Sequence, residues 1–240
     1  MKRLLVLRPG ERLAVAVAVG VFVLILADVA VGGLVADLDA DAIASVALSD
    51  GGPAWTRIAT DLGSLGVSGA VVMIATLLCA HGLWRVWPLA LTAFNLAATA
   101  VVVSVVKAAV GRGGPSTTAS NSGYSGYFPS GHTATGFVCF GTAAFLMLAL
   151  VRPDLSASGF VGSRAGEQRP GLPEHGHDIL ARAGVGVGLT VGLVVGIGTL
   201  LTGNHWPSDV VGGLLVGTTV LVTGFAGVRT HLEKVVGVRR

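Results

Sequence analysis

The stretch FPSGHTATGFVCFGTAAFLMLALV, residues 128–151, decides the fold. It opens with a polar helix start and then runs from Gly131 to Val151 with no lysine, arginine, aspartate or glutamate. At 1.5 Å rise per residue such a run crosses a hydrocarbon core of roughly 30 Å. Water is absent there, so the segment must satisfy its own backbone hydrogen bonds, which makes it a helix. Working outward, five further apolar runs of comparable length appear, and the six are expected near residues 13–36, 67–84, 89–110, 131–151, 179–201 and 210–228. The expected fold is all-α: one membrane domain over residues 1–240, built as a six-transmembrane-helix bundle.

Composition agrees with that reading and excludes others. Of 240 residues 52% are hydrophobic and only 12% charged, and the mean hydropathy is +0.77. An ordinary soluble domain, a disordered chain and a collagen-like chain are all excluded. Two cysteines do not make a disulfide scaffold; Cys79 and Cys139 lie inside apolar runs, where a thiol packs as a small hydrophobe. The net charge of +3 is scattered through loops without interleaved aromatics, which excludes a nucleic-acid partner.

Orientation follows from the basic residues, which resist translocation. With the N-terminus cytoplasmic, thirteen of the sixteen lysines and arginines fall on the cytoplasmic side. Only Arg57, Lys107 and Arg112 fall on the other. Both termini are then cytoplasmic in a multi-pass cell-membrane protein. The first outer connection is acidic and has a weak amphipathic pattern at Ile43, Val46 and Ala47, followed by Trp55 and Ile58, as expected of a helix lying in the interface. The long inner connection, 152–178, is rich in Gly, Pro, Ser and charge and reads as a flexible connector; its His175-Gly176-His177-Asp178 run lacks a ligand framework and is expected to be solvated.

The outer connections gather polar and ionisable residues at span ends: Lys107, Arg112, Ser130, His132, His205 and Asp209. Together on one membrane face they form a candidate active site. In Phe128-Pro129-Ser130-Gly131-His132, Ser130 is placed as a helix N-cap, and the free amides after it would attract a phosphate. Gly131 lets the backbone approach an anion, and His132 stands where it could protonate a leaving oxygen. Alone, the segment serves equally well as a plain capped helix start. His205 and Asp209 are four apart, on one face of a helical turn; the carboxylate would fix one imidazole nitrogen and leave the other free to attack. The plainer alternative is an outward-facing cap with Trp206 in the aromatic belt.

These residues resemble the type-2 phosphatidic acid phosphatase superfamily, whose signature is K-x6-R-P, then P-S-G-H, then S-R-x5-H-x3-D. The second block is complete as Pro129-Ser130-Gly131-His132, the third keeps His205 and Asp209, and the first keeps Lys107 and Pro115. The resemblance spans residues 105–213. It implies metal-independent dephosphorylation of a membrane lipid phosphate, without cofactor, through a phosphohistidine on His205. Asp209 would orient His205, His132 would serve as acid and then base, and Lys107, Ser130 and Gly131 would hold the phosphoryl oxygens. Phosphatidic acid, phosphatidylglycerol phosphate and polyprenyl phosphates or diphosphates are the candidate substrates.

Two departures stand beside the match. The first block's arginine is Gly114 here, and the third block's is Thr199. Arg112 is the candidate to supply a guanidinium to the phosphate from a shifted position; otherwise it is an interfacial arginine. The departures keep two alternatives open: a phosphotransferase passing a headgroup phosphate to an alcohol, and an inactive lipid-binding relative. Among the other polar residues, Asp28 in the first span is expected to be hydrated or protonated near the interface, and Asn95 to make an interhelical hydrogen bond. Tyr124, Tyr127 and Phe128 would border a headgroup or belong to the aromatic belt.

Overall fold

The computed structural model describes residues 6–46, 53–83, 85–115, 126–152, 155 and 172–236, and every regular element among them is a helix. Eight helices follow in chain order: α1 (Pro9–Val31), α2 (Leu34–Val46), α3 (Ala54–Leu62), α4 (Leu65–Leu83), α5 (Trp87–Val110), α6 (Gly131–Val151), α7 (Leu172–Leu201) and α8 (Pro207–Val236). Six of them, all except α2 and α3, are long and apolar enough to cross a membrane. The chain is thus an all-α, multi-pass membrane bundle. Tyr124 and Ala47 lie outside the described residues.

Helix α6 is the most buried of the six spans and α1 the least. In hydrocarbon nothing drives helices together except packing and polar contacts, so close approach needs small residues. At the α6–α7 crossing Gly141 meets Gly184, and a Cβ on Gly188 would stand 2.5 Å from the Phe137 carbonyl oxygen. Phe137, Phe145 and Leu146 of α6 then interlock with Leu221 and Phe225 of α8. Phe145 and Phe225 stack at 4.3 Å between ring centroids. Polar side chains inside the bundle pair across helices: Asn95 Nδ2 donates to Thr142 Oγ1 at 2.8 Å, as expected, and the Thr76 and Thr92 hydroxyls meet at 2.7 Å. Cys79 and Cys139 are buried free thiols.

The span ends differ from expectation at three places. The first span stops at Val31 instead of running to residue 36, because Gly32 turns left-handed at φ 65°. The chain then re-enters a helix, and Asp28 Oδ1 accepts the Val35 amide at 2.8 Å, capping the first turn of α2. Asp28 is therefore a helix-capping residue and not merely a hydrated one. The fifth span begins earlier than 179, with α7 starting at Leu172, so His177 and Asp178 are helical. His177 is buried against the Phe145 ring at 5.4 Å, not solvated. The last span continues past 228 to Val236.

These extensions build a polar cluster at the end of the bundle where α1 and α7 begin. Arg8 pairs with Asp178, and Arg229 pairs with Glu11. Arg229 Nη2 also donates to the Val6 carbonyl at 2.9 Å, tying the segment before α1 to α8.

The first connection between spans holds two helices rather than one. Helix α3 packs against α7, and α2 against α8. Both contacts reach the site described next, α3 through Thr60 in the cavity wall and α2 through Asp39.

A candidate active site at one end of the bundle

Three stretches meet where α5 ends and α6 and α8 begin. The Ser130 amide donates to the Asp209 carbonyl at 2.8 Å, joining the starts of α6 and α8. Ser130 is the N-cap of α6, its Oγ accepting from the Thr133 amide and, at 3.0 Å, from the Thr133 hydroxyl. Ahead of the capped Thr133 amide, the Gly131 and His132 amides have no acceptor within the helix and can bind an anion. Lys107 lies beside them, its Nζ 3.8 Å from where a Cβ on Gly131 would stand.

The start of α8 is organised by one carboxylate. Pro207 occupies its first turn, and Asp209 Oδ2 accepts the Trp206 amide at 3.0 Å, closing that turn. The same oxygen lies 3.1 Å from His205 Nδ1. With Nδ1 engaged, Nε2 is the nitrogen left to act. The loop carrying His205 is pinned from behind, since the Thr199 carbonyl accepts the Asn204 amide at 2.9 Å and the His205 amide at 3.3 Å.

A cavity of 580 Å³ opens here, lined by Lys107, Gly131, His132 and His205, with Tyr127 and Thr199 in its wall. The His132 and His205 ring centroids are 6.5 Å apart. A second, mostly apolar cavity of 420 Å³ runs between α4, α5 and α6, and shares Leu65 and Thr135 with the first. Of the residues expected at the site, four line the cavity. Ser130 and Asp209 are fully buried behind its wall.

Arg112 is also behind the wall, and its guanidinium is already committed. Nη1 donates to Asp209 Oδ1 at 2.8 Å and to Ser208 Oγ at 2.7 Å, and Nη2 donates to Asp39 Oδ2 at 2.7 Å. The expectation that Arg112 reaches phosphate is not what this geometry favours; it holds Asp209 instead. The plain interfacial alternative fails too, because its side chain is only 11% exposed.

A family model described as the PAP2 superfamily matches residues 88–232, more than half of the chain. The chain belongs to the PAP2 superfamily. Among solved structures it is similar to the transmembrane PAP2-type phosphatidylglycerolphosphate phosphatase from Bacillus subtilis, with a TM-score of 0.62 at 19% identity, covering 93% of this chain and 98% of that one. No curated protein sequence matches.

Against the PAP2 pattern, the two missing arginines have structural counterparts. A Cβ on Gly114 would lie 2.6 Å from the Tyr127 ring, so the tyrosine occupies the room a side chain there would need. Tyr127 then packs edge-on to His205 at 5.6 Å. Thr199 stands in the cavity wall with its hydroxyl turned back onto the Gly196 carbonyl at 2.8 Å. Phe128, expected near a headgroup or in the aromatic belt, is instead fully buried and stacks on Phe22 at 5.5 Å.

Sequence reasoning missed Asp39. Asp37, Asp39 and Asp41 look alike in the acidic run, yet only Asp39 is buried. A usable signal existed: Val35, Ala36, Ala42 and Ile43 lie three or four residues from Asp39, which puts its carboxylate in the middle of the apolar face of α2. A carboxylate there must find a partner.

Proposed function

We propose that this protein is a membrane lipid-phosphate phosphatase working through a phosphohistidine, without a metal. The observation that carries the reading is a pair of imidazoles facing one cavity, 6.5 Å apart between centroids, with Lys107 beside the start of α6. His205 Nε2 attacks phosphorus as the bond from phosphorus to the lipid oxygen breaks, and His132 gives its proton to that oxygen. Water then attacks the phosphohistidine, losing a proton to His132. The bond from phosphorus to nitrogen breaks, and inorganic phosphate leaves. Lys107 and the first amides of α6 hold the phosphoryl oxygens, supplying fixed positive charge where a metal would otherwise act.

A lipid is favoured over a soluble ester because the apolar cavity continues from the polar one between α4, α5 and α6, offering room for a chain. Phosphatidylglycerol phosphate is the first candidate, since the similar solved structure carries that name. Phosphatidic acid and polyprenyl phosphates are the others. The excess of lysine and arginine on the other side supports a site outside the cytoplasm, with both termini inside, in one domain.

The test is phosphate release from each candidate lipid by the purified chain with a chelator present. Turnover should persist with the chelator and vanish in His205→Ala; turnover that needs an added divalent ion refutes the mechanism. One observation favours a second reading, transfer to an alcohol: the cavity wall holds Tyr127 and Thr199 where the family pattern has phosphate-binding arginines. A phosphomonoester of the added alcohol would select transfer, and free phosphate alone would select hydrolysis.

A further inference from the structure

We propose that Asp39 is a positioning residue of the histidine site, supplying negative charge that stabilises the cationic ring formed when His205 bonds to phosphorus. This rests on the reading that His205 is the nucleophile. The carboxylate belongs to α2, in the connection before the second span, far along the chain from either histidine. Its Oδ2 accepts from Arg112 Nη2 at 2.7 Å and from Ser208 Oγ at 2.5 Å, and its Oδ1 accepts from the Ser208 amide at 2.9 Å. Arg112 passes its other nitrogen to Asp209, and Asp209 meets His205 Nδ1. Asp39, Arg112, Asp209 and His205 therefore form one unbroken chain of contacts.

The charges along it do not balance. Two carboxylates share one guanidinium, and the three side chains are 4%, 11% and 0% exposed. Water screens little there, so the one surplus negative charge is felt at His205. A neutral imidazole gains little from it. When Nε2 bonds to phosphorus the ring becomes cationic, and the surplus charge is then matched. Stabilisation that appears only as the reaction proceeds raises kcat and leaves ground-state binding alone. Without Asp39, Arg112 would cancel Asp209 and that gain would be lost. Asp39 also grips the Ser208 amide in the first turn of α8, fixing the turn that carries Asp209.

The experiment measures turnover and binding of orthovanadate, which adopts the five-coordinate geometry of phosphoryl attack, in the full chain in lipid nanodiscs. Asp39→Asn keeps the shape and removes the charge. Its kcat should fall by about 10- to 100-fold, the usual effect of losing an outer partner of a functional side chain. KM should stay within about twofold, vanadate binding should weaken in step with kcat, and Asp39→Glu should restore most of the loss. The decisive variant is Asp39→Asn combined with Arg112→Gln, which returns the cluster to a single negative charge. Its kcat should exceed that of Asp39→Asn alone, and it remains informative if the single variant does not fold, because it leaves no unpaired guanidinium; activity as low as that of His205→Ala would then overturn the proposal. Wild-type turnover with an Asp39→Asn kcat within twofold of it, or a double variant worse than the single, overturns this proposal alone. A wild-type chain that neither releases phosphate nor binds vanadate overturns the phosphatase reading and this proposal with it.

Discussion

The two ends of the bundle each carry a buried histidine beside a cluster of ion pairs, and the clusters are built differently. At the site end His205 is held by Asp209, behind which Arg112 and Asp39 are nearly water-free. At the other end the side chains of Asp178 and Glu11, facing Arg8 and Arg229, are 33% and 24% exposed. His177 lies nearby, and among the described residues neither of its ring nitrogens has a hydrogen-bond partner. Solvent screens the second cluster, so it serves as a staple joining the start of α1 to α7 and α8. The first is shielded and faces a cavity, so its charge acts on the imidazole. An ion pair beside a buried histidine is thus no sign of function; what distinguishes the site is a shielded surplus of charge directed at the ring.

The largest difference should appear when each histidine is removed. His205→Ala should lower phosphate release by at least about 10⁴-fold, as loss of a nucleophile ordinarily does. His177→Ala should leave kcat within about twofold and change only thermal stability. A large kcat loss in His177→Ala would erase the functional contrast between the ends.

Next in size is the effect on folding of removing each arginine. Arg112→Ala leaves Asp39 and Asp209 as buried carboxylates without a counter-charge, which should cost about 3–5 kcal/mol. Arg229→Ala leaves partners that water can reach, and should cost about 1 kcal/mol. Thermal unfolding of the two variants in the same detergent compares them directly. Equal shifts in Tm would mean that Asp39 and Asp209 are less shielded than their burial implies.

How much of this was legible in the sequence depends on whether the information was local. The six spans were, because a bilayer demands long uncharged helices, and the blocks around Ser130 and His205 were, because capping and i, i+4 spacing act within one turn. The end of α1 was not. The run from Val29 to Ala36 stays apolar through Gly32, and composition does not record the left-handed turn there. The burial of His177 was hidden by a polar sequence context that reads as loop. Asp39 was missed for a similar reason, since its role comes from Ser208, far along the chain, and the contact of Tyr127 with His205 is hidden by the same distance.

A third prediction tests the wall that stands where the family pattern has arginine. Gly114→Arg alone should lower kcat/KM, because its Cβ would collide with the Tyr127 ring. Tyr127→Ala removes the obstacle, and the double variant should then exceed Tyr127→Ala alone as the new guanidinium reaches the phosphate. The two changes should couple by about 1–3 kcal/mol in a double-mutant cycle on kcat/KM. Simple additivity would show that Tyr127 is not what excludes a side chain at 114.

The smallest effect should come from Asp28, which touches neither cavity nor cluster. Its carboxylate accepts the Val35 amide in the first turn of α2, and α2 carries Asp39 one turn further on. Asp28→Ala should cost about 1 kcal/mol of stability, the usual value of a lost cap. If the capped turn helps hold α2 in place, fraying there should reach the site as a two- to fivefold fall in kcat with KM unchanged, in the same direction as Asp39→Asn but weaker. An unchanged kcat alongside the expected loss of stability would mean that the contacts of Asp39 with Arg112 and Ser208 hold α2 without help from its start. The cluster, and not the helix, would then be the unit that positions Asp209.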